Sequence, residues 1–493
     1  MTMGEMLRAK AAGHPDKTVL FAPGAEVTYA QLDNSATRLA RWFLHQGLRP
    51  GDRVAIHWHN SVEAAQLYFA AFLSGVIAVP VNLRLKVPEI AYVFQNSGAA
   101  LCFSAPALVP LAEAAAALCP SLRSVVSAIP GEAPDVVLPA IDVGQTAVIM
   151  YTSGTTARPK GVECSHGAFL ECCRCMQAEL VSGGLGLCTT PMMHIAALAM
   201  VVASIYCGAA IVLLPGFDPG AILDAIERYR CTYTVSLPAL LQFIVEEQAR
   251  KPRDVRSLDT VLVGGDSVPH SLPSRFQELF GIPLQEFYGM TEGGFIAVNP
   301  RHSIREGSMG IPLSIVQVRI VDPAGRDVPE GEPGEVVLRS PIACRRYWND
   351  PETTADLLRD GWLHTGDLAR RDAEGHLWFQ GRAKQIIVRA GSNISPQEVE
   401  AAIYQHPAVR EAGVVGLPDP VYGEAVVAFV ALRRAASAGD EQEIREFTRE
   451  RLADYKTPER ILFLSELPKG LTGKVDRRAL KEMLLARSRA AGG

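Results

Sequence analysis

Residues 150 to 162, MYTSGTTARPKGV, gather hydroxyls, glycines and two cations behind the β-prone run Thr146–Met150. A loop of this kind leaving a strand can turn backbone N–H groups toward phosphate oxygens, with Lys160 or Arg158 supplying charge. It is not the G-x-x-x-x-G-K-[ST] nucleotide loop: counting from Gly154, Pro159 takes the place of the second glycine and Gly161 follows the lysine. Composition alone also fits a flexible linker, so the rest of the chain must decide. VGGDSVP (263–269) and QEFYGMTEGG (285–294) each follow an apolar strand and end in small residues, which puts both at strand ends facing a crevice. There Tyr288 offers a ring for stacking and Glu292 a carboxylate for a hard cation. In WLHTGDLA (362–369) a tight turn is expected at Asp367, where its carboxylate could accept hydrogen bonds from vicinal hydroxyls such as those of a ribose. GRAKQIIVRAGSNISPQEVE (381–400) and LPKGLTGKVDRR (467–478) place further cations in glycine-rich loops.

Elements that could position such loops are legible around them. From residue 50 onward, β-rich runs alternate with helical ones: Arg53–His57, Val62–Leu73 and Ile77–Val81, then Ala209–Leu214, Ala221–Tyr229, Tyr233–Ser236, Leu240–Ala249 and Thr260–Val263. That alternation predicts sheets covered by helices. From about Gly310 to Arg371 the helical pattern gives way to short strands and turns, a small β-rich subdomain. After GRAKQ a separate α+β domain is predicted, with a helix at Pro396–Gln405, strands at Glu411–Gly416 and Glu424–Leu432, and a charged helix at Glu441–Leu452. The fold class expected is therefore α/β, in two domains, residues 1–384 and 385–493.

The 493 residues, 48% of them hydrophobic, can bury a sizeable core. Lys+Arg 48 against Asp+Glu 53 leaves a net charge of -5, which calls for neither nucleic acid nor an acidic membrane as partner. Ten cysteines at irregular spacing suit a reducing, cytoplasmic compartment. The cluster ECCRC (171–175) lacks the ligand spacing of a structural zinc site and reads as helix with partly buried thiols. Ile195–Leu214 is uncharged for twenty residues, long enough for a membrane span, but Tyr206-Cys-Gly208 breaks it and no basic residue flanks it between Arg174 and Arg228. A buried helix followed by a buried strand is expected.

With YTSGTTARPKG, YGMTE, TGD, GRAKQIIVRAGSNISP and TGKVDRR in this order, residues 15 to 480 resemble the adenylate-forming synthetases, which include acyl- and aryl-coenzyme A ligases, beetle luciferase and peptide-synthetase adenylation domains. The resemblance implies a large domain that binds ATP and a small-molecule carboxylic acid, and a small domain that rotates between two half-reactions. Acid and ATP give acyl-adenylate and pyrophosphate; a thiol, coenzyme A, then displaces AMP. By the same resemblance Thr152, Ser153, Gly154, Thr155, Thr156 and Lys160 hold the β- and γ-phosphates, with Arg158 peripheral. Glu292 holds Mg²⁺, and Thr291 meets the α-phosphate. Gly265, Asp266, Tyr288 and Gly289 surround adenine, and Asp367 and Arg382 hold the ribose. Lys474 bridges the carboxylate and the α-phosphate, and His194 lies beside the reacting acid. The acid pocket is drawn from His194, Ala197, Leu198, Gly264, Gly289 and Met290. Ala390, Gly391 and Ser392 line the coenzyme A channel, and Lys384 and Gln385 form the hinge.

Two positions depart from the family. Gln385 stands where an aspartate or lysine is common, and Ala197 where a glycine often opens the acid pocket. The pocket segments, small and apolar without an evident cation, predict a monocarboxylate with an apolar tail. No aspartate opens the PMMH segment to pair an ammonium, and no carrier domain follows residue 480, which argues against an amino acid as substrate. Alternatives are a ligase loading carrier-protein phosphopantetheine and a luciferase-like oxygenase. A P-loop switch is opposed by the loop spacing, and an inactive binding module by the presence of Lys160, Glu292, Asp367 and Lys474. Monomer or homodimer is left open.

Overall fold

Apolar runs bounded by glycine and proline become strands, and the amphipathic stretches between them become the helices that cover them. The computed structural model describes the chain apart from residues 153–157, 181–183, 267, 270, 390–391, 420, 471–473 and 492–493. Among the described residues there are four sheets. The first runs, in spatial order, Ser124–Val126, Leu101–Ser104, Arg53–His57, Ile77–Pro80, Thr146–Thr152 and Lys160–Ser165, its last strand folding back antiparallel. The second runs Ile311–Pro312, Gly294–Val298, Gln285–Met290, Thr260–Gly264, Tyr233–Ser236, Leu185–Cys188, Ala210–Leu213, Thr18–Ala22 and Ala25–Thr28. Its strands from Leu185 to Met290 are parallel, so their C-terminal ends share one edge of the sheet. One apolar cluster joins the helices Tyr29–His45, Val62–Ser74 and Ile195–Tyr206 to faces of both sheets.

The uncharged run divides at Gly208, whose φ of 70° is left-handed, into the helix Ile195–Tyr206 and the strand Ala210–Leu213. No helix among the described residues is long and apolar enough to cross a membrane. All ten cysteines are free thiols, Cys172 and Cys173 buried on the helix His166–Glu179.

Residues 1–50 carry structure the periodicity reading passed over. Thr2 with Glu5, and Thr28 with Gln31, form capping boxes that start the helices Met3–Gly13 and Tyr29–His45. The β-rich subdomain is a five-stranded antiparallel sheet built on Trp362–Arg371. It is not free of helix: Pro351–Leu357 forms a short one, because Asp350 caps it through the Thr353 N–H and Pro351 fills the first turn.

The small C-terminal domain packs the helices Pro396–Tyr404 and Asp440–Arg449 against a sheet whose long hairpin is Val409–Asp419 and Gly423–Leu432. Its two apolar clusters draw on residues from Ile387 onward.

Candidate active site

Two antiparallel hairpins deliver the phosphate-loop end and the carboxylate to one place. Thr152 pairs with Lys160 where the strands Thr146–Thr152 and Lys160–Ser165 part. Ser153, Gly154, Thr155 and Thr156 lie outside the described residues. Thr152 Oγ1 is buried without a hydrogen-bond partner, an orphan that a phosphate oxygen would satisfy. Glu292 sits in the turn between Gln285–Met290 and Gly294–Val298, beside half-buried Thr291, and Gly294 takes the φ of +68° that this tight reversal needs.

Tyr347, which the sequence reading missed, links the two. Its hydroxyl donates to Glu292 Oε1 at 2.7 Å while the Lys160 ammonium stands 5.1 Å from its ring centroid. Burial first, and then the neighbouring Glu292 carboxylate, push the phenol far above its ordinary range and keep it a donor. An aromatic among arginines (RRYWND) gives no periodic or glycine signal that would announce this role. One carboxylate with a hydroxyl nearby suits a hard, oxygen-seeking cation shared with phosphates. Among the described residues no group of three or more His, Cys, Asp or Glu side chains is placed to hold a metal by itself.

The two neighbouring parallel strands Thr260–Gly264 and Gln285–Met290 end side by side, at the edge of the sheet where open α/β sheets bind ligands. Glycine is required at both positions after Val263: a Cβ on Gly264 would collide with the Phe287 carbonyl oxygen, and Gly265 has φ +79°. Asp266 follows, exposed. Tyr288 is buried, and its hydroxyl donates to Asp367 Oδ2 at 2.8 Å, so the structure uses its polar end to orient Asp367.

Asp367 is not in a tight turn. It lies within the strand Trp362–Arg371, where Thr365-Gly366-Asp367 bulges against Gly334–Arg339. Thr365 Oγ1 donates to the Val336 carbonyl and accepts from the Asp367 N–H, and Gly366, at φ +71°, donates its N–H to Glu335. Bulges re-aim side chains, and this one turns a carboxylate inward. Asp367 Oδ1 stands 2.9 Å from Arg382 Nε yet receives no aligned hydrogen bond, so acceptor capacity is left over.

His194 caps the helix Ile195–Tyr206 without a side-chain cap bond, beside buried Ala197 and Leu198. Burial, and then the Arg84 cation, hold its imidazole below the usual pKa. Arg84 comes from the loop after Ile77–Pro80, outside the pocket segments, which themselves carry no cation. Asn60, also missed, clamps the preceding turn, accepting from the Met192 N–H at 2.7 Å and donating to the Thr190 carbonyl at 2.9 Å. Gly289 and Met290 end the strand next to Gly264.

From the other domain, the Lys474 ammonium donates to the Gly265 carbonyl. The strand Leu377–Arg382 runs into the short turn Ala383–Gln385, with Lys384 exposed and Gln385 accepting from Gln397 Nε2 at 3.3 Å. Ser392 begins the strand Ser392–Ile394; Ala390 and Gly391 lie outside the described residues. Lys474 thus meets Gly265, Tyr288 and Arg382 both meet Asp367, and Lys160 and Glu292 both meet Tyr347, with Thr152 paired to Lys160 along the strand.

A crevice at parallel strand ends, reached by a cation from a second domain, defines a nucleotide-dependent two-domain α/β enzyme. Residues 7–348 match the AMP-binding enzyme family and residues 398–474 the AMP-binding enzyme C-terminal domain. The feruloyl-CoA synthase of Amycolatopsis sp is 37% identical over 474 residues, covering 94% of this chain and 96% of that one. A fatty acid–[acyl-carrier-protein] ligase of Streptomyces coeruleorubidus is 32% identical over 501 residues, 96% of this chain and 94% of that one. The crystal structure of an anthranilate CoA ligase in complex with anthranoyl-AMP superposes with a TM-score of 0.93 at 28% identity, covering 99% and 98% of the two chains. The chain belongs to the AMP-binding enzyme family, the adenylate-forming synthetases, and within it to the acyl- and aryl-coenzyme A ligase branch.

Proposed function

We propose that the protein, an ATP-dependent acid–thiol ligase, converts an apolar monocarboxylic acid to its coenzyme A thioester with the residues joined around this crevice. In the first step an anionic carboxylate must approach a polyanionic triphosphate, and preorganised positive charge lowers that barrier. Lys474 supplies it between carboxylate and α-phosphate; the observation that carries this reading is its contact with Gly265 across the domain boundary. The carboxylate oxygen bonds to the α-phosphorus as the bond to pyrophosphate breaks. Thr152 and Lys160, with residues 153–156, hold the departing phosphates, and Thr291 meets the α-phosphate. Asp367, oriented by Tyr288, takes the ribose hydroxyls with Arg382, and Gly265, Asp266 and Gly289 border adenine. His194, kept neutral, packs against the acid without adding charge.

Mg²⁺ fits the Glu292–Thr152 donor set as an ion bound by one carboxylate and substrate phosphates, where it would neutralise developing charge. In the second step residues 385–493 turn about Lys384 and Gln385, Lys474 leaves, and the thiol sulfur, entering past residues 390–392, bonds to the acyl carbon as the bond to AMP breaks. The self-contained apolar clusters of that domain support such a movement.

The feruloyl and anthranilate names of relatives support an aromatic monocarboxylic acid, and the carrier-protein relative keeps a phosphopantetheine acceptor as the second reading. The deciding experiment supplies ATP, Mg²⁺ and a panel of aromatic and aliphatic acids, with coenzyme A or a holo carrier protein. Acid-dependent AMP and pyrophosphate with a coenzyme A thioester support the proposal. ADP and phosphate would end it, and thioester on the carrier alone would replace the acceptor.

A further inference from the structure

Glu400, on the helix Pro396–Tyr404, has a buried carboxylate that receives three hydrogen bonds. The Val414 N–H donates to Oε1 at 2.7 Å, Arg477 Nε to the same oxygen at 3.2 Å, and Arg477 Nη2 to Oε2 at 2.6 Å. Burial pushes the carboxyl pKa up and Arg477 pulls it back, while Asp266 of the adenine-side loop lies close enough to push it further.

Arg477 opens the helix Arg477–Ala491 three residues after Lys474. Between them the chain completes a hairpin: the Gly470 N–H donates to the Lys474 carbonyl at 2.7 Å and the Asp476 N–H to the Pro468 carbonyl at 2.8 Å. Its outgoing arm is tied by Lys469 to Glu411 at 2.5 Å. Its return arm packs on Gly413, where a Cβ would stand 2.9 Å from Val475 and 2.8 Å from Leu480. Both arms thus rest on the strand Val409–Asp419, and the Glu400–Arg477 pair fixes the return arm next to the lysine. A lysine is a point charge on a flexible stem, so where its ammonium reaches depends on where this hairpin is seated.

We infer that Glu400 is a positioning residue for the first half-reaction, seating the Lys474 hairpin through Arg477 and taking no part in thioester formation. The inference rests on the proposed role of Lys474. Glu400→Gln retains an acceptor for the Val414 N–H but removes the charge opposite Arg477; Arg477→Gln is the second variant. Acid-dependent exchange of pyrophosphate into ATP, and thioester formation from supplied acyl-adenylate, are measured on the full-length variants. The exchange rate should fall roughly 10²-fold in either, as a misplacement of about 1 Å can cause. The KM for ATP and the thioester step should stay at parent values. The double variant should be no worse than the worse single, because the two residues act through each other.

Equal loss of both half-reactions would show that Glu400 merely holds the small domain together, and unimpaired exchange would show that the hairpin is seated by other groups; either overturns the inference. Lys474→Ala run in parallel separates the two claims. If it abolishes exchange while Glu400→Gln does not, the positioning role alone falls. If it leaves exchange intact, the lysine assignment falls and the positioning role with it.

Discussion

Two chain reversals carry the lysines of the proposed site, Lys160 and Lys474, and they are built differently. The one ending at Thr152 and Lys160 is part of a six-stranded sheet, with Ile149, Met150 and Val162 buried. Its outer strand is fastened again by the Trp348 N–H on the Gly161 carbonyl at 2.6 Å and by Arg346 on buried Glu163 at 2.5 Å. The hairpin of Lys474 is tied within its own small domain, and it meets the large domain through the lysine's ammonium on a backbone carbonyl. Nearby, Arg433 and Glu246 approach to 3.6 Å, each about half exposed. In the proposed reaction Thr152 and Lys160 hold the triphosphate while the acid attacks, whereas Lys474 withdraws before the thiol enters. A seat made by one ammonium on a carbonyl suits the release that the proposed second step requires, and charge supplies what the proposed first step needs.

The comparison predicts a graded set of losses. Lys474→Ala should lower adenylate formation by about 3–4 kcal/mol, roughly 10²–10³ in rate, and spare thioester formation from supplied acyl-adenylate. Unchanged pyrophosphate exchange would break the asymmetry between the hairpins at its root. Next, Tyr347→Phe removes a donor from the Glu292 carboxylate, a bond to a charged group worth about 1.5–3 kcal/mol. Half-maximal exchange should then need about tenfold more Mg²⁺ or beyond. An unaltered Mg²⁺ titration would detach Tyr347 from the fixed site.

Glu286 tests the fixed half by stability. Burial raises its carboxyl from the ordinary 4.5 to about 7, even with the Gly307 N–H donating to it. The folded chain therefore keeps a proton that the unfolded chain gives up as pH rises past 4.5, so this group's contribution is whole below that pH and lost by the time pH has passed about 7. Glu286→Gln, which cannot ionise, should gain melting temperature over the parent at pH 8 relative to pH 5, by roughly a degree or two. A difference independent of pH would contradict the raised pKa. The smallest effect belongs to Arg433→Ala. An exposed pair contributes about 0–1 kcal/mol, so the ratio of the two half-reaction rates should move by no more than about fivefold, and the shift should vanish in high salt. A larger, salt-resistant change would mean that the small domain is held more firmly than its contacts imply.

Local chemistry determined much of this protein from sequence alone. Glycine, hydroxyl and proline punctuation marks the ends of strands wherever they fold, so the strand ends at Thr152, Lys160 and Gly264 were legible, as were most helices and strands from residue 50 onward. Thr2 and Thr28 carried cap signals too, though the period of the apolar residues did not point to them. What only tertiary structure decided is contact between segments distant in the chain. Tyr347 reaches Glu292 across 55 residues, Tyr288 reaches Asp367 across 79, and Lys474 reaches Gly265 across 209. Asp367 read as a turn residue because Thr-Gly-Asp suits a turn; pairing with two neighbouring strands made it a bulge. Likewise, whether Arg84 lies near His194, or Glu400 beneath the lysine hairpin, depends on how helices and loops pack onto the sheets. Propensity and spacing act over a few residues, whereas side chains from opposite ends of the chain meet only where burial and strand pairing bring their elements together.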